Sequence, residues 1–375
     1  MDRVDIIILG GGIAGVSLAA ELAGRARVTL IELEGQLGRH ATGRSAAMYF
    51  ESYGNGVIRT LTRASRAFFS EPPAGFTETP LLHPRRMVMI ADPARSDRLT
   101  ALVKDSALLR EISVQEARRW VPILRPDWLA AAAVDDTGFD IDVAALMQGY
   151  LAQARRYGVQ LILNAVSTAI RPNSSGWVVE GPFGRIEAPI VVNATGAWAD
   201  EVAIEANVRP LGLTPRRRTA VIVPAPDGYS IVNWPLVLDL DEEFYFKPDG
   251  GRILLSPANE DPDRAGDAAP DELDVAIAVD RFERATTMQV HRVTHRWAGL
   301  RTFARDRTPV VGFDSQVPGF FWLAGQGGYG LQTAPALSRV AAALVLGLTV
   351  PVDILDAGLS VDALAPGRPG LVTEG

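Results

Sequence analysis

VDIIILGGGIAGVSLAAELAGRARVTLIE, residues Val4 to Glu32, is the stretch that decides the fold. Val4 to Leu9 is a short apolar run that suits a buried parallel strand. Gly10, Gly12 and Gly15 follow as GxGxxG. A helix opening at Ile13 then presents unpaired backbone N–H groups and the positive end of its dipole to a pyrophosphate. The first glycine permits the tight turn, the second lets a phosphate approach the backbone, and the third lets the helix pack closely on the strand. Ala26 to Ile31 forms a second strand, and Glu32 stands twenty residues beyond Gly12, where a carboxylate accepts hydrogen bonds from an adenosine ribose. Strand, glycines, helix, strand and acid arrive in order, which makes this a dinucleotide site. The motif does not separate NAD from FAD.

Moving outward, 375 residues exceed one ordinary core, so two domains are expected. A net charge of −7 argues against a nucleic-acid surface. The local run Arg216, Arg217, Arg218 still leaves room for an anionic small substrate. There is no cysteine, which excludes disulfides, thiolate metal ligands, a cysteine nucleophile and a flavin tethered through sulfur. His291 and His295 have the i, i+4 spacing of a metal pair, but no third ligand accompanies them and no metal is expected. The first strand begins too early for a secretory signal, and no apolar run approaches the ~20 residues of a membrane span. The longest candidate, Val340 to Val350, follows a helical pattern. A cytoplasmic protein without stable membrane insertion is the expectation.

Residues 35–56, GQLGRHATGRSAAMYFESYGNG, lie past the carboxyl edge of the second strand, where ligands bind in open α/β sheets. Thr42, Gly43, Ser45, Ala46 and Ala47 are small enough to let backbone approach a flat ring. Gly54 and Gly56 read as hinges for a mobile segment carrying Tyr49 and Tyr53. Residues 57–135 are mixed, with a strand at Met87 to Ala91 and a short helix at Val114 to Arg118. Asp142 caps an amphipathic helix whose apolar face is Val143, Leu146, Met147, Tyr150, Leu151 and Ala154. Gly158 ends it, Val159 to Leu163 is a strand, and Trp177 to Val179 with Arg185 to Ala188 makes a hairpin around Gly184. Ile190 to Val192 runs into Ala194, Thr195 and Gly196, a second small-residue turn from strand to helix. Thr219 to Val223, Phe244 to Lys247 and Ile253 to Leu255 read as antiparallel strands, with a turn at Asp249 to Gly251. Pro257 to Asp271 reads as an exposed acidic loop, and a helix follows to about Thr286. Phe320 to Ala324, the turn Gly325 to Gly330 and a helix from about Thr333 to Leu346 then repeat the opening pattern. A long cofactor crossing a sheet needs several such turns, whereas NAD needs one.

VDIIILGGGIAG, HATGRSAA, NATGAW, WAGLRTF and FFWLAGQGGYGLQT, in this order and at these intervals, resemble the FAD-dependent D-amino acid oxidase superfamily over nearly the whole chain. Within it the chain looks most like bacterial D-arginine dehydrogenases. The resemblance implies an α/β fold: a Rossmann-like, GR2-type FAD-binding domain (residues 1–80, 140–204 and 296–375) with an inserted, mainly antiparallel β substrate-binding domain (81–139 and 205–295). It implies non-covalent FAD, with adenosine at Gly12 and Glu32, beside Leu33 and Val166. Gly10, Ile13, Ala14 and Gly15 complete the phosphate turn, and Ala194, Gly196 and Trp198 form the second turn. The flavin would lie near Ser45 and Ala46, flanked by Thr42, Gly43, Arg44 and Ala47. Gly327, Gly328, Tyr329, Gly330, Leu331 and Gln332 would face its pyrimidine edge, where a helix N-terminus suits the negative charge of the reduced ring.

The resemblance also implies that Arg218 and Arg301 clamp a substrate carboxylate with the Tyr245 hydroxyl, and that Tyr53 closes over the site. A guanidinium fork is the natural carboxylate receptor. Met48, Phe50, Arg86, Glu242 and Tyr329 would set specificity. Met48 replaces a histidine of the D-arginine enzymes, and Arg86 replaces a glutamate that faces the substrate guanidinium. A cation there cannot receive a cationic side chain. The expected reaction is therefore oxidation of a D-amino acid with a neutral or anionic side chain to an imino acid and then a keto acid. Electrons would pass to FAD and on to oxygen, a quinone or another carrier. The alternatives are a 2-hydroxy acid or N-alkylated amino acid substrate, and a non-catalytic FAD-binding subunit.

Overall fold

The computed structural model describes residues 2–371. Met1 and residues 372–375, which the first domain assignment includes, lie outside them. Ile6–Leu9 is the centre of a six-stranded sheet. The order is Gln160–Ile162, Val28–Ile31, Ile6–Leu9, Ile190–Asn193, Phe320–Ala324 and Val310–Phe313; the first five run parallel and the last is antiparallel. Strand alternation divides its side chains between two layers. Ile6 and Ile8 point to a core with helices Ile13–Leu22, Val143–Arg156 and Gly330–Val345, while Ile7 and Leu9 meet Trp177, Val179 and Ile186 of a small four-stranded sheet. Both faces are covered, which is why the run Val4 to Leu9 carries no polar alternation after Asp5.

A nine-stranded sheet forms the second layer system. Its pairings are antiparallel except for Leu236–Asp239 beside Met87–Ala91. Val88, Ile90 and Phe246 face a core closed by helix Glu272–Ala285, whereas Met87, Met89 and Tyr245 face the opposite way, toward Phe50, Met48 and Tyr53. A three-stranded sheet of Met48–Tyr49, Phe139–Ile141 and Leu82–Pro84 lies alongside.

The helix capped by Asp142 forms as its spacing predicts, with the Asp142 carboxylate accepting from Ala145 N at 2.8 Å. Several expectations change. Strand His295–Phe303 pairs along its length with Thr214–Val223, so residues 296–303 belong to the nine-stranded sheet. Gly56 is no loop hinge: it opens helix Gly56–Ser70, whose N-cap Asn55 accepts from Ile58 N at 3.0 Å. Polar residues mask helix Gly56–Ser70 in the sequence, since Thr60, Thr62 and Ser65 are buried together with Ile58, Leu61 and Phe69 and break its apolar period. Val340 belongs to the buried helix Gly330–Val345, and among the described residues no helix is long and apolar enough to cross a membrane.

Candidate active site

One cavity of about 410 Å³ joins the glycine turns to the nine-stranded sheet. At its dinucleotide end the three glycines differ in their surroundings. Gly10 has φ +102°, and a Cβ there would lie 2.4 Å from the Ala194 carbonyl oxygen. A Cβ on Gly15 would lie 1.9 Å from the Gly10 carbonyl oxygen, so Gly15 serves helix packing and does not line the cavity. Gly12 meets only Thr42 Oγ1 at 3.4 Å and borders open space. Glu32 accepts from Gly11 N at 2.5 Å and from Glu34 N at 2.8 Å, which fixes its carboxylate at the end of the second strand. Leu33, Val166, Ala194, Gly196 and Trp198 line the same end.

The other wall comes from paired strands. Arg216 stands opposite Arg301 and Arg218 opposite Gly299, which places Arg218 and Arg301 diagonally on one sheet face. Gly299, having no side chain, leaves that face open beside Arg218 and itself lines the cavity. Arg217 points the other way, to Asp263 and Asp274 at 3.0 and 3.1 Å. Tyr245, on the strand Tyr245–Asp249, completes the wall. Burial acts to raise the Tyr245 phenol, but the charges of Arg218 and Arg301 outweigh it and hold its pKa below the ordinary value. Burial, then the neighbouring Arg301 charge, lowers the pKa of Arg218. Burial also works against Arg301, yet Tyr53, Tyr245 and Glu260 hold its pKa above the usual value. Tyr53 donates to Glu242 at 3.1 Å and packs against Tyr329 with ring centroids 5.2 Å apart; burial pushes its phenol up.

Thr42, Arg44, Ser45, Ala46, Gly327, Gly328, Gly330 and Leu331 border the cavity, together with Ile13 and Ala14. Other expected residues act behind it. Gly43 N donates to the Gly38 carbonyl at 2.8 Å and closes a turn. Ala47, at φ 55°, accepts from Ile141 N at 2.7 Å. The Gln332 amide is buried between Thr62 Oγ1 (2.8 Å) and Phe50 N (3.4 Å), tying two helices and the Phe50 segment together instead of facing a ring. Met48, Phe50, Tyr53 and Tyr329 stand behind the lining rather than in it, and Glu242 is exposed outside it. Arg86 is a clear correction: its guanidinium lies 4.5 Å from the Trp120 ring centroid and 3.3 Å from Asp136, outside the cavity.

The loop Pro257 to Asp271 was expected to be exposed, but part of it reaches the site. Gly266 and Ala268 line the cavity. Asn259 O and Glu260 Oε1 accept from Arg218 at 2.8 and 3.3 Å, and Glu260 also takes both terminal nitrogens of Arg307 at 2.9 and 3.0 Å. Burial would raise the Glu260 carboxyl, but Arg307, Arg218 and Arg301 hold it below its ordinary value. Nothing in local spacing marks Glu260. Its role depends on a loop meeting a distant strand.

The model of the family described as DAO, FAD dependent oxidoreductase, matches residues 5–344. The chain belongs to this family. It is 24% identical to glycine oxidase of Bacillus licheniformis, over 95% of this chain and 96% of that protein. It is also 24% identical to mitochondrial dimethylglycine dehydrogenase of Mus musculus over 95% of this chain, which spans 44% of that longer protein. The glycine oxidase structure from Geobacillus kaustophilus superposes with a TM-score of 0.81 at 23% identity, covering 96% of this chain and 99% of that one, and shows the fold.

The DAO-family residues suit FAD on structural grounds of their own. Helices Ile13–Leu22 and Gly330–Val345 both open onto the cavity, and neither N-cap residue supplies a side-chain cap. Two separated helix N-termini along one cavity match a cofactor with a pyrophosphate at one place and an electron-accepting ring at another.

Proposed function

We propose that this flavoprotein oxidises a small amine bearing a carboxylate, with a D-amino acid as the first choice, to an imine that water converts to a keto acid. The observation that carries the reading is the convergence of Arg218, Arg301 and Tyr245 on the cavity that also holds the Gly10–Ala14 turn. In this reading Gly10 to Ala14 hold the pyrophosphate, Glu32 the ribose, and Ser45, Ala46 and Gly327 to Leu331 the ring. FAD, when bound, supplies a two-electron acceptor for the Cα–H bond. Arg218 and Arg301 fix the carboxylate, Tyr245 donates its hydroxyl, and Tyr53 shields the site, so that the protein's contribution is orientation and exclusion of water. No strong base is needed if the amine arrives unprotonated, and none of these residues is asked to take its proton. The six-stranded sheet with its helices then forms the cofactor-binding part, and the nine-stranded sheet, residues 296–303 included, the substrate-binding part.

With Arg86 outside the cavity, the reason for excluding basic side chains falls away, and the small substrate size is supported by the glycine oxidase relatives instead. An N-alkylated amino acid is the second reading, favoured by the likeness to dimethylglycine dehydrogenase. Anaerobic mixing with glycine, D-amino acids including D-arginine, N-methylated glycines, L-amino acids and 2-hydroxy acids tests both, since only a substrate bleaches the flavin. A yellow protein bleached by none of them would leave the non-catalytic reading standing. Replacing Arg301 by Ala removes a buried carboxylate partner worth about 2–5 kcal/mol, so kcat/KM should fall at least about thirtyfold. Arg301→Lys should recover only part of it, because a point charge lacks the fork. An Arg301→Ala variant with wild-type kcat/KM would sink the clamp.

A further inference from the structure

We infer that Glu260 is a positioning and specificity residue of the clamp: its carboxylate holds Arg218 and restricts the site to ligands with a single carboxylate. The inference rests on the clamp reading and deepens it. Arg218 is 8% exposed, and the diagonal register sets it close to Arg301, so two guanidinium charges share one largely buried wall. Among the described residues Glu260 is the one acid in an ion pair with either of them. Its Oε1 accepts from Arg218 Nη2 while Asn259 O accepts from Nε, which leaves Nη1 free of those two anchors. Arg307, half exposed and stacked 4.0 Å over the Phe303 ring, grips both Glu260 oxygens and keeps the carboxylate from swinging into solvent.

The charge balance follows from this arrangement. Arg218 and Arg301 carry two positive charges; Glu260 supplies one negative charge permanently, and one substrate carboxylate supplies the other. A second carboxylate on the ligand would find the Arg218 and Arg301 charges already matched and would face the Glu260 carboxylate, a like-charge contact that is costly where water is excluded. Arg307 offsets part of the Glu260 charge through its two hydrogen bonds, from a half-exposed position where solvent screens the rest of its field. Glu260 thus selects against dianions while keeping Arg218 in the orientation that a monoanion needs.

The test uses the FAD-loaded protein and two probes of nearly equal shape, malonate and its monoamide malonamate, with binding followed by calorimetry and by perturbation of the flavin spectrum. Wild type should bind malonamate more tightly than malonate. Glu260→Gln, which keeps a hydrogen bond to Arg218 and removes the charge, should shift the malonate-to-malonamate affinity ratio toward malonate by about five- to tenfold. Glu260→Ala should in addition weaken malonamate, because Arg218 loses an anchor. Arg307→Met keeps an apolar contact with Phe303 and exposes the full Glu260 charge to the wall, so the ratio should move the opposite way; it decides the matter if the Glu260 variants do not fold. Malonamate binding with a ratio unmoved in Glu260→Gln, or in Arg307→Met where that variant decides, overturns the Glu260 role and leaves the clamp intact. Binding of neither probe to wild type overturns the clamp itself.

Discussion

Tyr53 and Tyr245 both feel the charge of Arg301, yet their phenols move in opposite directions, Tyr53 up through burial and Tyr245 down because two guanidinium charges outweigh its burial. For Tyr245 the folded-state pKa lies below the unfolded value of about 10, so its linkage adds stability above that value and the contribution is lost as pH falls through the folded pKa. The same shift bears on binding. Deprotonation would place a phenolate where the substrate carboxylate must bind. The kcat/KM profile of the free protein should accordingly fall on its alkaline side, on top of a rise as the substrate amine loses its proton. Tyr245→Phe should remove that alkaline fall and Tyr53→Phe should not; ultraviolet phenolate difference spectra of the two variants check the assignment independently. Both tyrosines were legible as candidates, but their opposite ionisation was not, since it depends on which guanidinium groups surround each ring.

Among the elements, the glycine turns show where spacing and space agree. Gly10→Ala would combine a φ of +102° with a Cβ 2.4 Å from Ala194 O, and Gly15→Ala would drive a methyl into the Gly10 carbonyl at 1.9 Å. Both variants should be purified with little or no flavin and with a lowered unfolding midpoint. Gly56→Ala makes the contrasting case, since nothing lies within 4 Å of the added Cβ and the residue opens a helix. It should keep its flavin and gain about 0.5–1 kcal/mol, read as a raised midpoint in thermal unfolding. Loss of turnover with flavin retained in Gly56→Ala would instead revive a hinge at that position. The opening turn was readable because each glycine answers to neighbours within a few residues or to one adjacent strand. Helix Val143–Arg156 was readable because its apolar period is local, and Leu146, Tyr150 and Ala154 are indeed its buried residues.

At the scale of the whole molecule, the cavity is assembled from parts far apart in the chain. Arg44, next to Ser45 on the cavity wall, donates to the Ala268 and Ala298 carbonyls at 3.1 and 2.9 Å and pairs with Asp267, while Arg39 reaches Asp267 at 3.2 Å. A ligand that fills such a cavity is a tertiary link, and it stabilises the fold by mass action, by about 4 kcal/mol when present at a thousand times its Kd. Stripping FAD should therefore lower the unfolding midpoint, and added FAD should restore it together with the colour. Added NAD should do neither. A midpoint indifferent to FAD would contradict its placement along both glycine turns.

Local chemistry alone determined the dinucleotide turn, the amphipathic helix after Asp142, the central strands and the repeated glycine turn at Gly325 to Gly330, because glycine conformation, capping and hydrophobic period act over a few residues. The five ordered motifs pointed to the family for the same reason. Tertiary structure decided what those signals could not reach. It carried Arg86 away to Trp120 and Asp136, turned Gln332 into a buried tie, moved residues 296–303 into the nine-stranded sheet, and brought Glu260 from an acidic loop to Arg218. Each of these depends on strand register or on a loop meeting a distant strand, and the partner across such a contact is not encoded in the residues beside it in sequence.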